Sequence, residues 1–215
     1  MESYALLIAA TLNAGTVLAI AALGLLINEK VGVVNLGAEG MMLCAAIAGF
    51  AAVVHTGSDM VGFLAGMGAG ALLGAIFGVM VIYLDTNQYA TGLALSLFGV
   101  GFSAFVGITY VQEKLPPRPQ FEIPFLADIP LVGSAFFKQH PLVYGVIAFV
   151  LALIWFLYKT RTGLVLRSVG ESPESAHALG YSVRRIRFLA VMVGGALCGL
   201  SGAYISVVYT PLWVE

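Results

Sequence analysis

The chain has 215 residues, of which 60% are hydrophobic and only 10% are charged, and its formal net charge is −1. This composition excludes an ordinary soluble domain and predicts an all-α polytopic membrane protein that contacts lipid. A nucleic-acid partner is not expected, because no basic tract is interleaved with aromatic residues.

Six apolar runs are long enough to cross a hydrocarbon core, which takes about 20 helical residues. The runs are residues 4–27, 32–54, 61–84, 90–111, 141–158 and 188–209. They predict one transmembrane domain over residues 1–215. The first run is longer than a signal-peptide core and has no basic residue ahead of it, so we expect it to be retained as a span.

The second run carries two polar residues near its start. Asn35 and Glu39 lie four residues apart, on one face of a helix. Glu39 is the only acidic residue well inside an apolar run, and ionisable groups are costly in a membrane. Two interpretations stay open: Glu39 lines a solute path, or it is a protonated or hydrogen-bonded clamp between helices. Segment 34–37 also contains Asn and Gly, which predicts a broken or re-entrant start.

The third run has a glycine at every fourth position: Gly62, Gly66, Gly70, Gly74 and Gly78. The sixth run repeats the pattern with Gly195, Gly199 and Ala203. Such spacing leaves one helix face without side chains, so another helix can approach closely. We expect packing grooves within one subunit, with a moving or subunit–subunit interface as the alternative.

The fourth run begins with a second polar patch, Asn87, Gln88 and Thr91. These residues either line a solute path or serve turn and cap geometry. Segment 86–89 is a further candidate for a broken or re-entrant helix. The predicted substrate path therefore comprises Asn35, Glu39, Asn87 and Thr91.

Between the fourth and fifth runs, segment 112–140 holds five prolines, which exclude a long regular helix. It also carries many large apolar residues, too many for a free linker. We expect it to fold as an external lid on its own subunit, with an external partner as the alternative.

A basic segment at residues 159–187 contains six of the ten Lys and Arg residues but only two acidic ones, Glu171 and Glu174. Short loops rich in Lys and Arg stay in the cytoplasm. Alternation of the spans then places turns 28–31 and 85–88 in the cytoplasm. It places the N-terminus, turn 55–60 and segment 112–140 outside.

A short helix is predicted inside this basic segment, over residues 173–179. Ser172 can cap it, Pro173 suits its first position, Glu174 complements its positive end, and Gly180 offers a left-handed stop. Two turns are too short to be stable alone in water. We therefore expect a soluble partner to hold the helix.

Enzymatic motifs are missing from the sequence. It has no Gly-rich loop ending in Lys-Ser or Lys-Thr, no His-Glu-x-x-His and no Gly-x-Ser-x-Gly. The three histidines are scattered. We therefore expect no enzyme, no bound metal and no cofactor in this chain.

Two motifs give the chain a resemblance to a known family. Residues 28–42 (NEKVGVVNLGAEGMM) and 160–180 (TRTGLVLRSVGESPESAHALG) resemble the N-terminal signature and the coupling loop of ABC importer permeases for nucleosides and simple sugars. Those proteins are related to branched-chain amino acid permeases, and residues 87–92 (NQYATG) are similar as well. The family continues with further spans after a segment like residues 209–213, so we expect this chain to be incomplete at its C-terminus.

The resemblance implies that the short helix docks in a cleft of an ATP-binding subunit, which holds ATP and Mg²⁺. The implied docking residues are Glu171, Ser172, Pro173, Glu174, Ser175, Ala176, Ala178, Leu179 and Gly180. A second permease subunit and an external solute-binding protein would complete the importer, in the bacterial plasma (inner) membrane.

The function expected from the sequence is ATP-driven import of a nucleoside or simple sugar. Three alternatives stay open: a branched-chain amino acid ABC permease, an ion-coupled secondary transporter that uses Glu39, and a non-transporting scaffold. Association with an ATPase would favour an ABC permease over the last two.

Overall fold

A computed structural model describes residues 2–111, 113–116, 121–122 and 138–213. Within these ranges, six helices are long and apolar enough to cross a membrane. This confirms the predicted all-α polytopic fold. The only strands among the described residues are β1 (Phe121–Glu122) and β2 (Lys138–Gln139), which pair antiparallel.

Eight α-helices occur in the described ranges. They are α1 (Glu2–Lys30), α2 (Ala38–Thr56), α3 (Asp59–Gly78), α4 (Gln88–Gly107), α5 (Pro141–Lys159), α6 (Arg161–Glu171), α7 (Pro173–Ala178) and α8 (Val183–Tyr204). Three of them continue into short turns of different pitch. α3 is extended by a π-helical turn (Val79–Tyr83), α4 by a 3-10 turn (Ile108–Tyr110) and α8 by a second π-helical turn (Ile205–Tyr209).

The connections sort into two ends of the bundle, as alternation of the spans predicts. At the end that we call the basic end, the α1–α2 turn lies against α6 and α8, and Tyr83 packs edge-on against Phe188 with ring centroids 5.7 Å apart. At the opposite end, the His55 side chain hydrogen-bonds the Tyr110 hydroxyl over 3.1 Å, and the backbones of Lys114 and Leu212 form an isolated antiparallel β-bridge. That the basic end is cytoplasmic stays a prediction from charge.

Helix α8 lies at the centre of the bundle and packs against α1, α2 and α3. The two small-residue ladders face each other across the α3–α8 contact. Backbone of Gly70 touches backbone of Gly195 and Gly199, and Gly66 lies against Gly199 and Ala203. Both ladders therefore serve close packing within one chain, as the first of the two interpretations predicts.

The basic segment 159–187 is more helical than the sequence indicated. It contains α6, which was not predicted, and α8 begins at Val183 rather than at residue 188. Thr160 starts α6 by accepting a hydrogen bond from the Gly163 amide over 3.0 Å. Most of the basic residues in this segment lie on exposed faces of these helices. Their number favours a loop in the sequence, although charged residues are also typical of the exposed face of a helix.

The described parts of segment 112–140 contact their own chain. The Leu115 amide donates to the Pro211 carbonyl over 3.0 Å, and Asn13 Nδ2 donates to Gln139 Oε1 over 2.8 Å. His140 packs on Tyr204 with ring centroids 5.9 Å apart. These contacts support the predicted lid at its two ends, while residues 123–137 lie outside the described ranges.

Candidate functional site

The chain between α1 and α2, residues 31–37, is irregular and lies along α4. We call it the α1–α2 segment. Its Val34 amide donates to Gln88 Oε1 over 2.7 Å, and its Leu36 carbonyl accepts from Ser96 Oγ over 2.9 Å. A non-helical backbone inside a bilayer needs such partners, because lipid offers none. The predicted broken start of the second span is therefore present: α2 begins at Ala38 and not at residue 32.

Close glycine contacts fix the depth at which α2 begins. Gly92 of α4 touches the backbone of Leu36 and Gly37, and the backbones of Gly40 and Gly99 meet. Gly99 lies near the middle of the span formed by residues 88–110. The first turn of α2 is therefore level with the middle of α4. Glu39 lies in that turn, much farther from the basic end than its place near the start of an apolar run suggested.

Glu39 faces a cavity of about 380 Å³ between α2 and the end of α8. Its side chain is exposed in this chain. The cavity is lined by Glu39, Met42, Leu43 and Ala46 of α2, and by Ile205, Ser206, Thr210, Leu212 and Trp213. One carboxylate, two hydroxyl groups and an indole ring thus meet in a largely apolar wall, an arrangement typical of small-molecule sites.

The other three predicted path residues are placed elsewhere. Asn35 is buried and accepts a hydrogen bond from the Gly37 amide over 2.9 Å. The Asn87 side chain caps α4 by accepting from two backbone amides, and Thr91 Oγ1 lies 2.9 Å from Thr86 Oγ1. These side chains shape the α1–α2 segment and the start of α4, whereas Glu39 alone of the four lines the cavity.

Sequence reasoning missed the groups that hold the site together. The sequence pattern assigns Gln88 only to a polar patch, and it gives Ser96 and Trp213 no role. Ser96 had a visible signal, since it is a polar residue between Gly92 and Gly99 within an apolar run. Trp213 had none, because its contact with Gly107 and its 6.0 Å ring distance to Phe50 join distant parts of the chain.

The predicted docking residues form a projecting surface at the basic end. Glu171, Glu174, Ser175, Ala178, Leu179 and Gly180 are exposed, and Ser172 and Pro173 are half-buried. Leu179 is 76% exposed, although it is a large apolar residue. Ala176 is the exception, because it is buried at 1% exposure and packs into its own chain. A cavity of about 760 Å³ separates α7 from the ends of α3 and α8.

Two details of the predicted short helix are wrong. The Ser172 side chain does not cap α7; its hydroxyl instead donates to Ser175 Oγ over 2.7 Å. The helix ends at Ala178, one residue earlier than predicted, and Leu179 follows as its C-cap. The left-handed stop is confirmed, since Gly180 has φ +87° and its amide donates to the His177 carbonyl over 2.9 Å.

Among the described residues, no group of three or more His, Cys, Asp or Glu side chains is placed to hold a metal ion. Glu39 stands apart from other acidic groups in its cavity. The arrangement suits recognition of a polar solute through hydrogen bonds and ring contacts.

Several known proteins that are similar to this chain are ABC transporter permeases. The putative glucose ABC transporter permease protein TsgC13 of Haloferax volcanii is 41% identical over 218 residues, covering 100% of this chain and 66% of the relative. The guanosine ABC transporter permease protein NupQ of Bacillus subtilis is 35% identical, covering 94% of this chain and 67% of its own. The nucleoside permease NupC of Lactococcus lactis is 34% identical, with shares of 94% and 68%.

The chain thus spans about two thirds of the length of these curated relatives. No solved structure matches it. The family described as branched-chain amino acid transport system / permease component matches residues 7–214. This match and the ABC permease relatives confirm the resemblance seen in the motifs, and the chain belongs to this family of transport permease components.

Proposed function

We propose that this chain forms the permease of a binding-protein-dependent ABC importer, which moves a nucleoside or a simple sugar inward across the bacterial plasma membrane. ATP and Mg²⁺ would bind in a partner ATP-binding subunit. A second permease subunit would close the path, and an external solute-binding protein would deliver the solute. The glucose, guanosine and nucleoside permeases among the relatives support this solute class.

The observation that carries the proposal is the exposed surface of α7 and Leu179. A helix of six residues is marginal in water, because nucleation costs more than so few hydrogen bonds return. Ala176 fixes one side of α7 to its own chain, and the other side is left uncovered. Leu179 lies between the exposed residues Ala178 and Tyr181, and together they offer an apolar surface that is suited to a cleft in a soluble subunit.

The proposed solute path passes the cavity at Glu39. Nucleosides and sugars carry several hydroxyl groups, which can donate hydrogen bonds to a carboxylate. The ring of Trp213 offers an apolar surface against which a base or a sugar face can pack. Asn35, Asn87 and Thr91 would act by shaping the α1–α2 segment and α4. They would do so without touching the solute.

Transport measured in proteoliposomes tests the proposal. The permease is reconstituted with its ATP-binding subunit and solute-binding protein, and uptake of radiolabelled guanosine, glucose and leucine is compared. We expect uptake of guanosine or glucose with ATP, and none with a non-hydrolysable ATP analogue. Uptake of leucine alone would favour the branched-chain amino acid alternative. Uptake driven by a proton gradient without ATP would overturn the importer proposal.

Substitution of the projecting residues tests the docking surface. Leu179→Arg or Ala178→Arg adds charge where we propose that the partner's cleft closes. Loss of a dominant contact costs about 2 kcal/mol or more, so solute-stimulated ATP hydrolysis should fall more than tenfold while permease abundance is unchanged. The control is Leu164→Arg, at an exposed site on α6 outside the predicted docking residues. If Leu179→Arg and Ala178→Arg hydrolyse ATP at the same rate as the Leu164→Arg control, docking at α7 is ruled out.

Ala176→Arg is predicted to act differently from the two substitutions beside it. Because Ala176 is buried in its own chain, the added side chain would displace α7 and lower permease abundance. Normal abundance of this variant would show that α7 can be repositioned freely.

A further inference from the structure

Arg187 lies in the second turn of α8 and is the arginine of that helix whose side chain turns back into the protein. Its Nε donates to the Val31 carbonyl over 2.9 Å, and its Nη2 donates to the Val169 carbonyl over 3.4 Å. Val31 and Val169 are both fully buried. Arg184 and Arg185, in the preceding turn, are exposed.

The two carbonyls belong to different elements. Val31 opens the α1–α2 segment, and Val169 lies in the last turns of α6, the helix that leads directly into α7. A guanidinium group can hold two acceptors at once because its donors are fixed in a planar fork. Arg187 therefore ties the support of α7 to the start of the α1–α2 segment.

Glycines let these elements touch without intervening side chains. Backbone of Gly170 in α6 contacts the Lys30 carbonyl and the Gly32 amide. Gly32 has φ +77°, a conformation that L-residues rarely adopt, and an added Cβ there would lie 3.2 Å from Arg187 Nη2. A displacement of α6 and α7 would therefore press directly on the turn at residues 31–32.

We propose that Arg187 is a positioning residue that carries movement of α6 and α7 into the α1–α2 segment, and through it to Glu39 at the start of α2. The inference rests on the proposed function, since it assumes that a partner moves α7. It goes further by assigning the link between the docking surface and the solute path to one side chain. Contact continuity supports the link, and a coupling measurement is needed to test it.

The first measurement is the ratio of solute imported to ATP hydrolysed, per assembled complex, in proteoliposomes with guanosine and glucose as probes. Arg187→Gln removes the charged fork, and we expect the ratio to fall at least fivefold while ATP hydrolysis continues. Arg184→Gln is the matched control, with the same change in charge on the same helix, and should keep the wild-type ratio.

The second measurement follows the α1–α2 segment directly. Val34 is 40% exposed, and the native cysteines Cys44 and Cys198 are buried, so a maleimide reagent should label Val34→Cys selectively. We expect its labelling rate in the complex to differ at least threefold between the nucleotide-free state and the state trapped with ATP and vanadate. Arg187→Gln should abolish that difference, and Arg184→Gln should preserve it.

Arg187→Lys separates coupling from a merely structural role. Lysine keeps the charge but cannot form the planar fork, so we expect the complex to assemble with an intermediate ratio. The proposal is overturned if the glutamine and lysine variants keep the wild-type ratio and labelling difference per complex, even if less complex forms. Failure of the wild type to import any probe with ATP would instead contradict the proposed function.

Discussion

Two regions of this protein bring backbones together through glycine, and they do so for different reasons. At the α3–α8 contact, Gly70 meets Gly195 and Gly199, and both partners are regular helices. At the α4 contact, Gly92 meets Leu36 and Gly37, and one partner is an irregular segment. The first contact joins two surfaces whose backbone hydrogen bonds are internal. The second contact must supply hydrogen bonds to the α1–α2 segment, because its non-helical backbone does not form the internal hydrogen bonds of a helix.

The two regions therefore depend on different side-chain properties. Helix-to-helix packing in a membrane depends on close approach and dispersion, so the α3–α8 contact should respond to side-chain volume. The α1–α2 segment depends on Gln88 and Ser96, so it should respond to polarity. Substitutions at Gly70, Gln88, Ser96 and Glu39 should separate these two dependences, with progressively smaller losses of stability.

The largest loss is expected for Gly70→Val. A side chain at this position would meet backbone atoms of Gly195 and Gly199, which no rotamer change can relieve. We expect a destabilisation of about 3 kcal/mol, at the upper end for overpacking, and a strong decrease in folded permease after detergent extraction. The matched control is Gly68→Val on the same helix, where no atom lies within 4 Å of an added Cβ. Equal losses of stability in both variants would contradict the explanation that the glycine ladder serves close packing.

The next effect is expected for Gln88→Met, which keeps the side-chain length but removes the acceptor for the Val34 amide. Val34 is partly exposed, so loss of this hydrogen bond should cost about 1.5 kcal/mol, and the thermal midpoint should fall. Gln88→Glu retains an acceptor and should stay near the wild type. A methionine variant as stable as the glutamate variant would show that water or lipid headgroups already satisfy Val34.

A smaller loss is expected for Ser96→Ala, which leaves the Leu36 carbonyl without its donor, at a cost of about 1 kcal/mol. Ser103→Ala is the control on the same helix, because the Ser103 hydroxyl bonds back to Val100 in α4 itself. The difference between the two midpoints in thermal unfolding measures the anchoring of the segment. No difference would mean that Ser96 contributes nothing to it.

Glu39→Gln should leave stability within about 0.5 kcal/mol of the wild type, because the side chain is exposed and its shape is kept. Uptake of guanosine or glucose should nevertheless decrease, since the charged acceptor in the proposed path is lost. Normal uptake would return Glu39 to a structural role. Loss of the assembled complex would indicate a helix clamp.

Much of the fold could be predicted because its signals are local. The apolar runs predicted the six spans, and Asn35 and Gly37 predicted a break before α2. The glycine ladder predicted a close contact, although not which helix makes it. Gly180 predicted the end of α7, since a left-handed stop depends on one residue.

The features that sequence reasoning missed depend on distant partners. The depth of Glu39 follows from the contact of Gly40 with Gly99, 59 positions apart in the chain. The cavity depends on Trp213, whose place follows from its contact with Gly107. The sequence identifies Arg187 only as one of the charges that set the topology, whereas the structure shows that its side chain binds the Val31 and Val169 carbonyls.

Two helices end in π-helical turns, at residues 79–83 and 205–209. The exact number of residues in each turn therefore sets the direction in which the following residues point. Such a turn accommodates one residue more than an α-helical turn, and each residue of an α-helix advances the chain by about 100°. Deleting one residue from either turn would restore regular pitch and rotate the residues that directly follow it. The first deletion would turn Leu84 and the start of the connection to α4, and the second would turn Thr210 away from Glu39. Single-residue insertions and deletions at these two places should therefore be tolerated far less than substitutions.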